Sequence, residues 1–442
     1  MKLTKLLFLI IFFYFIFIVS LNGQPVVTNI PVGNGPCALL FNWSSNKLYC
    51  ANYWSNDITV INGINNQILR TIPVGIGPCR FFFALNDAKI YCANLGSDDI
   101  TIINSITDSI ITNIQVGAGP CVFTYNSTNN KIYLANCGNN EITIIDETND
   151  SIIRTLVVGN YPCALTFNQS TNKIYCANKH SNTVTVINGA TDSIIATISV
   201  GNGPCAFVCY NNIICTANKY SNNLSIIDGQ IDSVITTIQV GNSPSALTYE
   251  GLGYILCAHM ALDSIYVINS QNYQIVGRIR SGTASNSFTE GGICCTNSGS
   301  DDITIIVPHY YWWRWYWFNF GVGRHPVAAV YGNYGKLYVA NFWSDSISAI
   351  FFPPGIEEQL TPSASLHLFE IYPNPAKSYF AIRLPQSADR SQIKIFDVSG
   401  KIVKEVRSEE QETRISLDGI KNGVYFVRVG NEMATKKLVI TK

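Results

Sequence analysis

The phrase Val-Gly-x-x-Pro opens at Val32-Gly33, Val74-Gly75, Val116-Gly117, Val158-Gly159, Val200-Gly201, Val240-Gly241 and Val322-Gly323, mostly 42 residues apart. A period of that size marks units that cannot bury a core alone and must stack on one another. A second phrase, Asn-Lys-(Leu/Ile)-Tyr-Cys-Ala-Asn, returns whole at Asn46 to Asn52 and Asn172 to Asn178, and altered at Lys131 to Asn136 and Lys336 to Asn341. A repeat array is therefore the way this 442-residue chain builds a large domain.

Between Pro36 and Gly75 the alternation of side chains and the polar turns predict four strands. They are Cys37 to Asn42, Lys47 to Asn52, Asp57 to Asn62 and Gln67 to Val74. With 47% hydrophobic residues, only 13% charged ones, 23 Tyr and 22 Phe, most of these strands are expected to be buried. Four antiparallel strands in about 42 residues fit a propeller blade. Inner strands start near Pro36, Pro78, Pro120, Pro162, Pro204, Pro244, Ala284 and Pro326, which predicts eight blades. The seventh is degenerate, with Gly282-Thr-Ala-Ser285 at its turn, so seven blades is the alternative. Pro25 to Val32 reads as a fourth strand without its first three, and the last unit stops after a third strand at Phe351. The N-terminal strand is thus expected to close the ring and remove the open edges.

These units, from about residue 25 to 352, resemble the YVTN family of β-propeller repeats. The residues that carry the resemblance are the Pro before a short strand, the Asn-Lys-x-Tyr-x-Ala-Asn phrase, the third strand after it, and above all Tyr338-Val-Ala-Asn341. The chain departs from the family at Cys37 and Cys50, where Gly or Val is usual. The resemblance implies a surface or secreted propeller with no single agreed activity.

Both ends of the chain carry export features. Residues 1–23 read as a signal peptide, with Lys2 and Lys5 ahead of an apolar run from Leu6 to Val19 that is short for a membrane span. Residues 24–352 form the propeller and 353–365 have linker composition. Residues 366–442 read as a small β-sandwich with strands at Tyr379 to Arg383, Gln392 to Phe396, Thr413 to Leu417, Val424 to Val429 and Lys437 to Thr441. This segment is similar to the type A C-terminal sorting domain of type IX secretion. The resemblance rests on Tyr372-Pro-Asn-Pro-Ala376, Ile395 to Ile402, Gly423 to Val427 and Lys437 to Ile440. It implies the secretion machinery as partner, removal of the domain, and a secreted or surface-attached mature protein.

With 29 basic and 29 acidic residues, nothing favours nucleic acid or another polyanion as partner. Neither a cofactor motif nor a catalytic constellation is present. The five histidines, His180, His259, His309, His325 and His367, are scattered, and His259 reads as a turn residue. Asp57, Asp98, Asp108, Asp150 and Asp192 read as turn formers through Asx hydrogen bonds. Fourteen cysteines in an exported chain raise the question of disulfides. Cys37/Cys50, Cys79/Cys92 and Cys163/Cys176 each lie 13 apart on neighbouring strands, with Cys37 expected opposite Asn52. They are either bridges or small fillers between blades. Cys37, Cys79, Cys121, Cys163 and Cys205 recur at one inner-strand position, where a thiolate ring could take a soft metal, although no Cys-x-x-Cys spacing supports one.

Aromatic residues give the candidate binding sites. Trp54, His180, Tyr220 and Trp343 share one loop position, on the same face as the Val-Gly-x-x-Pro turns, where they either rim the channel mouth or pack as ordinary loop residues. Tyr310 to Phe320, with Trp313, Trp315 and Trp317 on one face, replaces the fourth strand of the seventh blade as an aromatic edge. Such an edge suits an interface with a partner or with the sorting domain, or a glycan platform. The sequence thus points to a secreted or cell-surface binding or adhesion module for a glycan or protein ligand. The alternatives are a structural surface-layer component, or an enzyme of the lyase or lactonase kind acting at the channel mouth.

Overall fold

Polar turns and apolar strands alternate as the repeats require, and left-handed Asn residues make the bends. In the first blade Asn46, Asn56 and Asn66 have φ of 53°, 58° and 63°, a conformation that Asn tolerates well. They join the strands Pro36–Asn42, Lys47–Asn52, Asp57–Asn62 and Ile68–Pro73 into one antiparallel sheet. The computed structural model describes residues 25–84, 88–250, 253–289, 294–309, 314–351, 370–372, 376–383, 393–397, 402–407, 412–429 and 435–441. The signal segment 1–23 and the linker 353–365 lie outside the described residues.

Eight such four-stranded sheets follow in order, including the degenerate seventh, whose strands are Ser285–Phe288, Cys294–Asn297, Asp302–His309 and Arg314–Gly321. The eight-bladed reading therefore holds over the seven-bladed one. The eighth blade takes three strands from residues 326–351 and its fourth from Val26–Pro31, which pairs antiparallel with Ser346–Phe351 from Val26↔Phe351 to Pro31↔Ser346. First strands of successive blades touch all the way round, and blade 8 returns to blade 1.

The core lies between blades. Tyr49, Ile58, Val60 and Ile72 of blade 1 pack on Ile90, Cys92 and Ile103 of blade 2, with Phe81 and Phe83 at the inner end. Second and third strands are almost wholly buried, while the fourth strand Ile68–Pro73 is mostly exposed. That is why the middle strands carry the strict phrase and the outer ones vary.

The phrase also holds the blades together by polar contacts that reach about sixty residues along the chain. Lys47 Nζ donates to Asp108 of blade 2 at 2.7 Å, and the Tyr49 hydroxyl donates to the same carboxylate at 2.5 Å. Lys89 and Tyr91 bond Asp150 in the same way, Lys131 and Tyr133 bond Asp192, and Lys173 and Tyr175 bond Asp232. Lys336 and Tyr338 close the ring on Asn66 at 3.0 and 3.1 Å. Asp108, Asp150 and Asp192 are thus acceptors for the preceding blade as well as turn residues.

The final Asn of the phrase is a second buried device. Asn52 Nδ2 donates to Asp57 Oδ1 at 2.6 Å and Thr59 Oγ1 at 2.9 Å, and Asn94 repeats the pair with Asp99 and Thr101. Cys50 Sγ donates to Asn52 Oδ1 at 3.4 Å, Cys92 to Asn94 at 3.8 Å and Cys176 to Asn178 at 3.5 Å. Where Leu134, Thr216 or Val339 stands instead, the carbonyl oxygen of Asn136, Asn218 or Asn341 is buried without a hydrogen bond. A cysteine at this position therefore satisfies an acceptor. His259, expected in a turn, ends the buried strand Tyr254–His259 in place of the Asn. Its ring lies 4.5 Å from that of Tyr266, which replaces the Thr.

Of the two readings of the cysteine pairs, the structure has all 14 cysteines as free thiols. A bulge sets the register around them. Leu39 faces Cys50 as expected, but Pro36 rather than Cys37 faces Asn52, because the pairing shifts between Pro36 and Ala38. Cys37 Sγ instead donates across the blade boundary to the Pro78 carbonyl at 3.1 Å. Cys79, Cys121, Cys163 and Cys205 do the same toward Pro120, Pro162, Pro204 and Pro244. Burial pushes the thiols of Cys37 and Cys163 up to about 12 and those of Cys79 and Cys205 up to about 11. This inner ring is a belt of thiols that donate across the blade boundaries.

Residues 370–441 form a separate unit. One sheet holds Glu370–Tyr372, Tyr379–Arg383 and Glu412–Ser416, and the other holds Ile402–Val406, Ile393–Asp397, Gly423–Val429 and Thr435–Ile440. Phe380, Ile382 and Ile415 of the first share a core with Ile393, Ile395, Val427 and Leu438 of the second, which makes a small β-sandwich.

Candidate functional site

The loop after each second strand lies against the Val-Gly-x-x-Pro turn of the same blade. Tyr53 N donates to Gly35 O at 2.8 Å and Trp54 N to Asn34 O at 3.0 Å. The contact leaves no room for a side chain at Gly33, whose added Cβ would sit 2.3 Å from Ser55 Oγ and 2.7 Å from Asp57 Oδ1. The turn thus presents its two variable residues and the loop its tip on one face.

On this face Trp54, Trp343 and Tyr220 are 60%, 57% and 59% exposed, and His180 is exposed too. They gather into two stations. At blades 8 and 1, Phe342 lies between the tryptophans, with ring centroids 5.0 Å from Trp343 and 6.3 Å from Trp54. Tyr53 meets Trp54 at 4.7 Å, and His325 lies 5.8 Å from Trp343. At blades 4 and 5, His180 stacks on Tyr161 at 4.6 Å, and Lys179 Nζ sits 5.7 Å from the ring centroids of both Tyr161 and Tyr220.

The ring has eight blades, so blade 4 stands half a turn from blade 8, and blade 5 half a turn from blade 1. The same loop position is Gly96 in blade 2, Gly138 in blade 3, Ala261 in blade 6 and Gly299 in blade 7. Two raised aromatic stations therefore oppose each other, with low shelves between them.

The turn itself adds a ring in two of these blades. The residue ahead of each inner strand is left-handed in every blade: Gly35, Gly77, Gly119 and Gly203 hold φ between 65° and 72°, and Ser243 and Ala284 of blades 6 and 7 hold 57° and 54°. Tyr161 of blade 4 and His325 of blade 8 hold φ of 58° with full side chains, at a cost of about 1 kcal/mol each. Tyr161, Lys179, His325, Phe342 and Tyr53 belong to the stations, although the sequence reading singled out only the loop tips. An aromatic residue or histidine in the glycine slot of Val-Gly-x-x-Pro was the available signal.

Of the aromatic edge on blade 7, Trp313 lies outside the described residues, and only the backbone of Trp315 is described, in the strand Arg314–Gly321. Trp317 and Phe318 on that outermost strand are 42% and 39% exposed. Among the described residues no helix is long and apolar enough to cross a membrane.

Comparison with known proteins separates the two units. Residues 370–441 match the secretion system C-terminal sorting domain family. Beta-agarase A of Zobellia galactanivorans is 38% identical over 69 residues, which is 16% of this chain and 13% of that protein. The chain thus spans about 13% of that curated relative. Among solved structures, the computationally designed Ika8 protein superposes with a TM-score of 0.62 at 13% identity, over 74% of this chain and 100% of that one. A streptogramin B lyase superposes at 0.51 with 13% identity, over 74% and 97%. Likeness at such identity concerns the fold alone. The fold and tail define a β-propeller with a type IX sorting domain, and the protein is exported to the extracellular space or the outer cell surface.

Proposed function

We propose that the mature propeller is a binding or adhesion module of YVTN type, which holds an extended sugar chain across the face between its two aromatic stations. Residues 1–23 direct export, and residues 366–442 engage the secretion machinery and are then removed. The observation that carries the binding reading is the placement of two exposed aromatic clusters, around Trp54 and Trp343 and around His180 and Tyr220, half a turn apart around the ring. Exposed Trp and Tyr rings stack on sugar faces, and the neighbouring Asn34, Asn160, Asn202 and Lys219 side chains are of the kind that bonds hydroxyl groups. Binding is favoured over catalysis because the histidines here are used as rings: His180 against Tyr161, and His325 against Phe342 and Trp343.

The test is affinity electrophoresis and calorimetry of the full chain with a panel of linear polysaccharides. Both the Trp54→Ala/Trp343→Ala variant and the His180→Ala/Tyr220→Ala variant are expected to lose roughly tenfold in affinity, as about 1.4 kcal/mol of stacking predicts. Binding that survives both variants, or binding of no polysaccharide, rejects the reading. A second reading, a self-packing surface-layer component, draws on exposed Trp317 and Phe318 at the outer edge of blade 7. It predicts concentration-dependent assembly that Trp317→Ser/Phe318→Ser abolishes.

A further inference from the structure

Blade 3 differs from its neighbours in its sulfur chemistry. It has Leu134 where blades 1, 2 and 4 have the inward cysteine of the second strand, and it carries a cysteine three residues later, Cys137. The same place is Tyr53, Leu95, Lys179, Lys219, Met260, Ser298 or Phe342 in the other blades. Pro120 pairs with Asn136, so Cys121 and Cys137 follow directly on paired residues. Cys121 occupies the bulge, and Cys137 N donates to Gly119 O at 2.9 Å. Cys137 Sγ lies 3.4 Å from where a Cβ on Gly119 would stand, beside Cys121, and each of the two sulfurs is the largest influence on the other's ionisation. Cys137 is only half-buried on the turn face, where the Tyr161 hydroxyl of the blade-4 station also favours its thiolate.

We propose that Cys121 and Cys137 are a redox-active pair that closes to a disulfide when the exported protein meets a disulfide oxidant. Cys137 is the attacking group and Cys121 the resolving one. The Cys137 thiolate displaces one thiolate from the oxidant and forms a mixed disulfide. Cys121 then gives its proton to solvent, attacks Cys137 Sγ and expels the second thiolate, so that one external disulfide becomes two thiols as two protein thiols become one disulfide. Closure removes the Cys121 proton that bonds the Pro162 carbonyl at 3.4 Å, which loosens one contact between blades 3 and 4 beside Tyr161. The division of roles follows from the surroundings. When Cys137 ionises, the Cys121 proton can turn from the Pro162 carbonyl to the Cys137 thiolate, which draws the Cys137 ionisation down to about 7, while that interaction and burial hold Cys121 well above the usual thiol range.

The remaining cysteines are internal controls, since Cys50, Cys92 and Cys176 are buried and pushed well above the ordinary thiol range. The full chain, reduced and then titrated with oxidised glutathione, is quenched with a maleimide and mapped by mass spectrometry without reduction. Cys121–Cys137 is expected as the first disulfide, and in a brief iodoacetamide pulse at neutral pH Cys137 is expected to react roughly ten times faster than any other cysteine. Cys121→Ser should trap glutathione on Cys137, and Cys137→Ser should leave Cys121 unmodified. A first bridge at Cys37–Cys50, Cys79–Cys92 or Cys163–Cys176 overturns the proposal. So does a mixed disulfide at Cys137 that persists in the native chain, or a Cys121→Ser protein that takes up no glutathione. None of these readouts depends on a sugar ligand.

Discussion

Blades 8 and 1 to 4 donate a Lys and a Tyr of the second strand to the next blade, whereas blade 5 has neither at those positions. The loss is paired. Blade 5 has Ile213 and Cys215 where the Lys and Tyr should stand, and blade 6 has Tyr273 where the accepting Asp should stand. In their place Tyr210 stacks on Tyr249 at 4.6 Å, and an apolar cluster around Cys215, Leu224, Ile226 and Cys257 fills the boundary, with Tyr273 at its side. One boundary is thus held by buried charge and the other by packing and one neutral bond, from the Tyr210 hydroxyl to the Ser270 carbonyl at 3.3 Å, within one chain and one backbone geometry. The contrast teaches that the repeated Lys-x-Tyr is an inter-blade fastening and not part of a ligand site. It also shows that the fold accepts either solution when both partners change together, as the balance between desolvation and Coulomb attraction allows.

Breaking one partner is expected to cost most. Asp108→Ala removes the carboxylate that pairs with Lys47, whose side chain is 17% exposed, and accepts from the buried Tyr49 hydroxyl, and leaves the ammonium only the carbonyls of Ser105 and Ile106. A loss of about 3 kcal/mol is expected, read as a drop in the thermal midpoint of the full chain. The triple change Lys47→Ile/Tyr49→Cys/Asp108→Tyr, which copies the boundary of blades 5 and 6, should recover most of it. A triple variant as unstable as the single one would break the comparison.

The second contrast is His259 with the seven asparagines it stands among. Burial lowers its ionisation to about 4, against an ordinary value of 6.5. The unfolded chain therefore binds the proton first as pH falls. Stability is full above about pH 6.5, declines as pH drops toward 4 and levels off below, by up to about 3 kcal/mol. His259→Asn/Tyr266→Thr, which restores the common pair, should flatten that part of the acid denaturation profile. An unchanged profile would mean that His259 is not what titrates.

Periodicity exposed the blades because every unit repeats its turn chemistry, and the complementary half-blades at Val26 and Phe351 exposed the closure. The fastening was hidden because Lys47 and Asp108 lie in different units, and one unit read alone makes each look like a turn residue. The bulge at Cys37 was hidden too, since strand alternation assumes an unbroken ladder; its shift undid the expected pairing with Asn52. Trp54, His180, Tyr220 and Trp343 were legible as a set by repeat position, but their grouping into two opposed stations needed the blade count. Tyr161 and His325 were visible in glycine slots, and their meaning appears only with φ.

The cysteines sharpen the comparison at smaller scale. Cys50→Val makes blade 1 resemble blade 8, with its Val339, and should orphan Asn52 Oδ1 at a cost of about 1 to 2 kcal/mol. The same change at the half-buried Cys209, in the first strand Pro204–Tyr210 and away from the recurring asparagine position, is the control and should cost less.

Tyr161 gives the smallest effect and the one of opposite sign. Glycine accepts φ of 58° freely, so Tyr161→Gly should relieve about 1 kcal/mol of strain while removing the ring that His180 stacks on. Loss of that stacking, itself worth about 0.5 to 1.5 kcal/mol, brings the net change near zero. Tyr161→Ala keeps the strain and loses the stacking, so it should be the less stable of the two by about 1 kcal/mol. Both variants should weaken polysaccharide binding alike. Equal stability of the two would mean that the left-handed backbone costs Tyr161 nothing, and full binding by both would confine the ligand to Trp54 and Trp343.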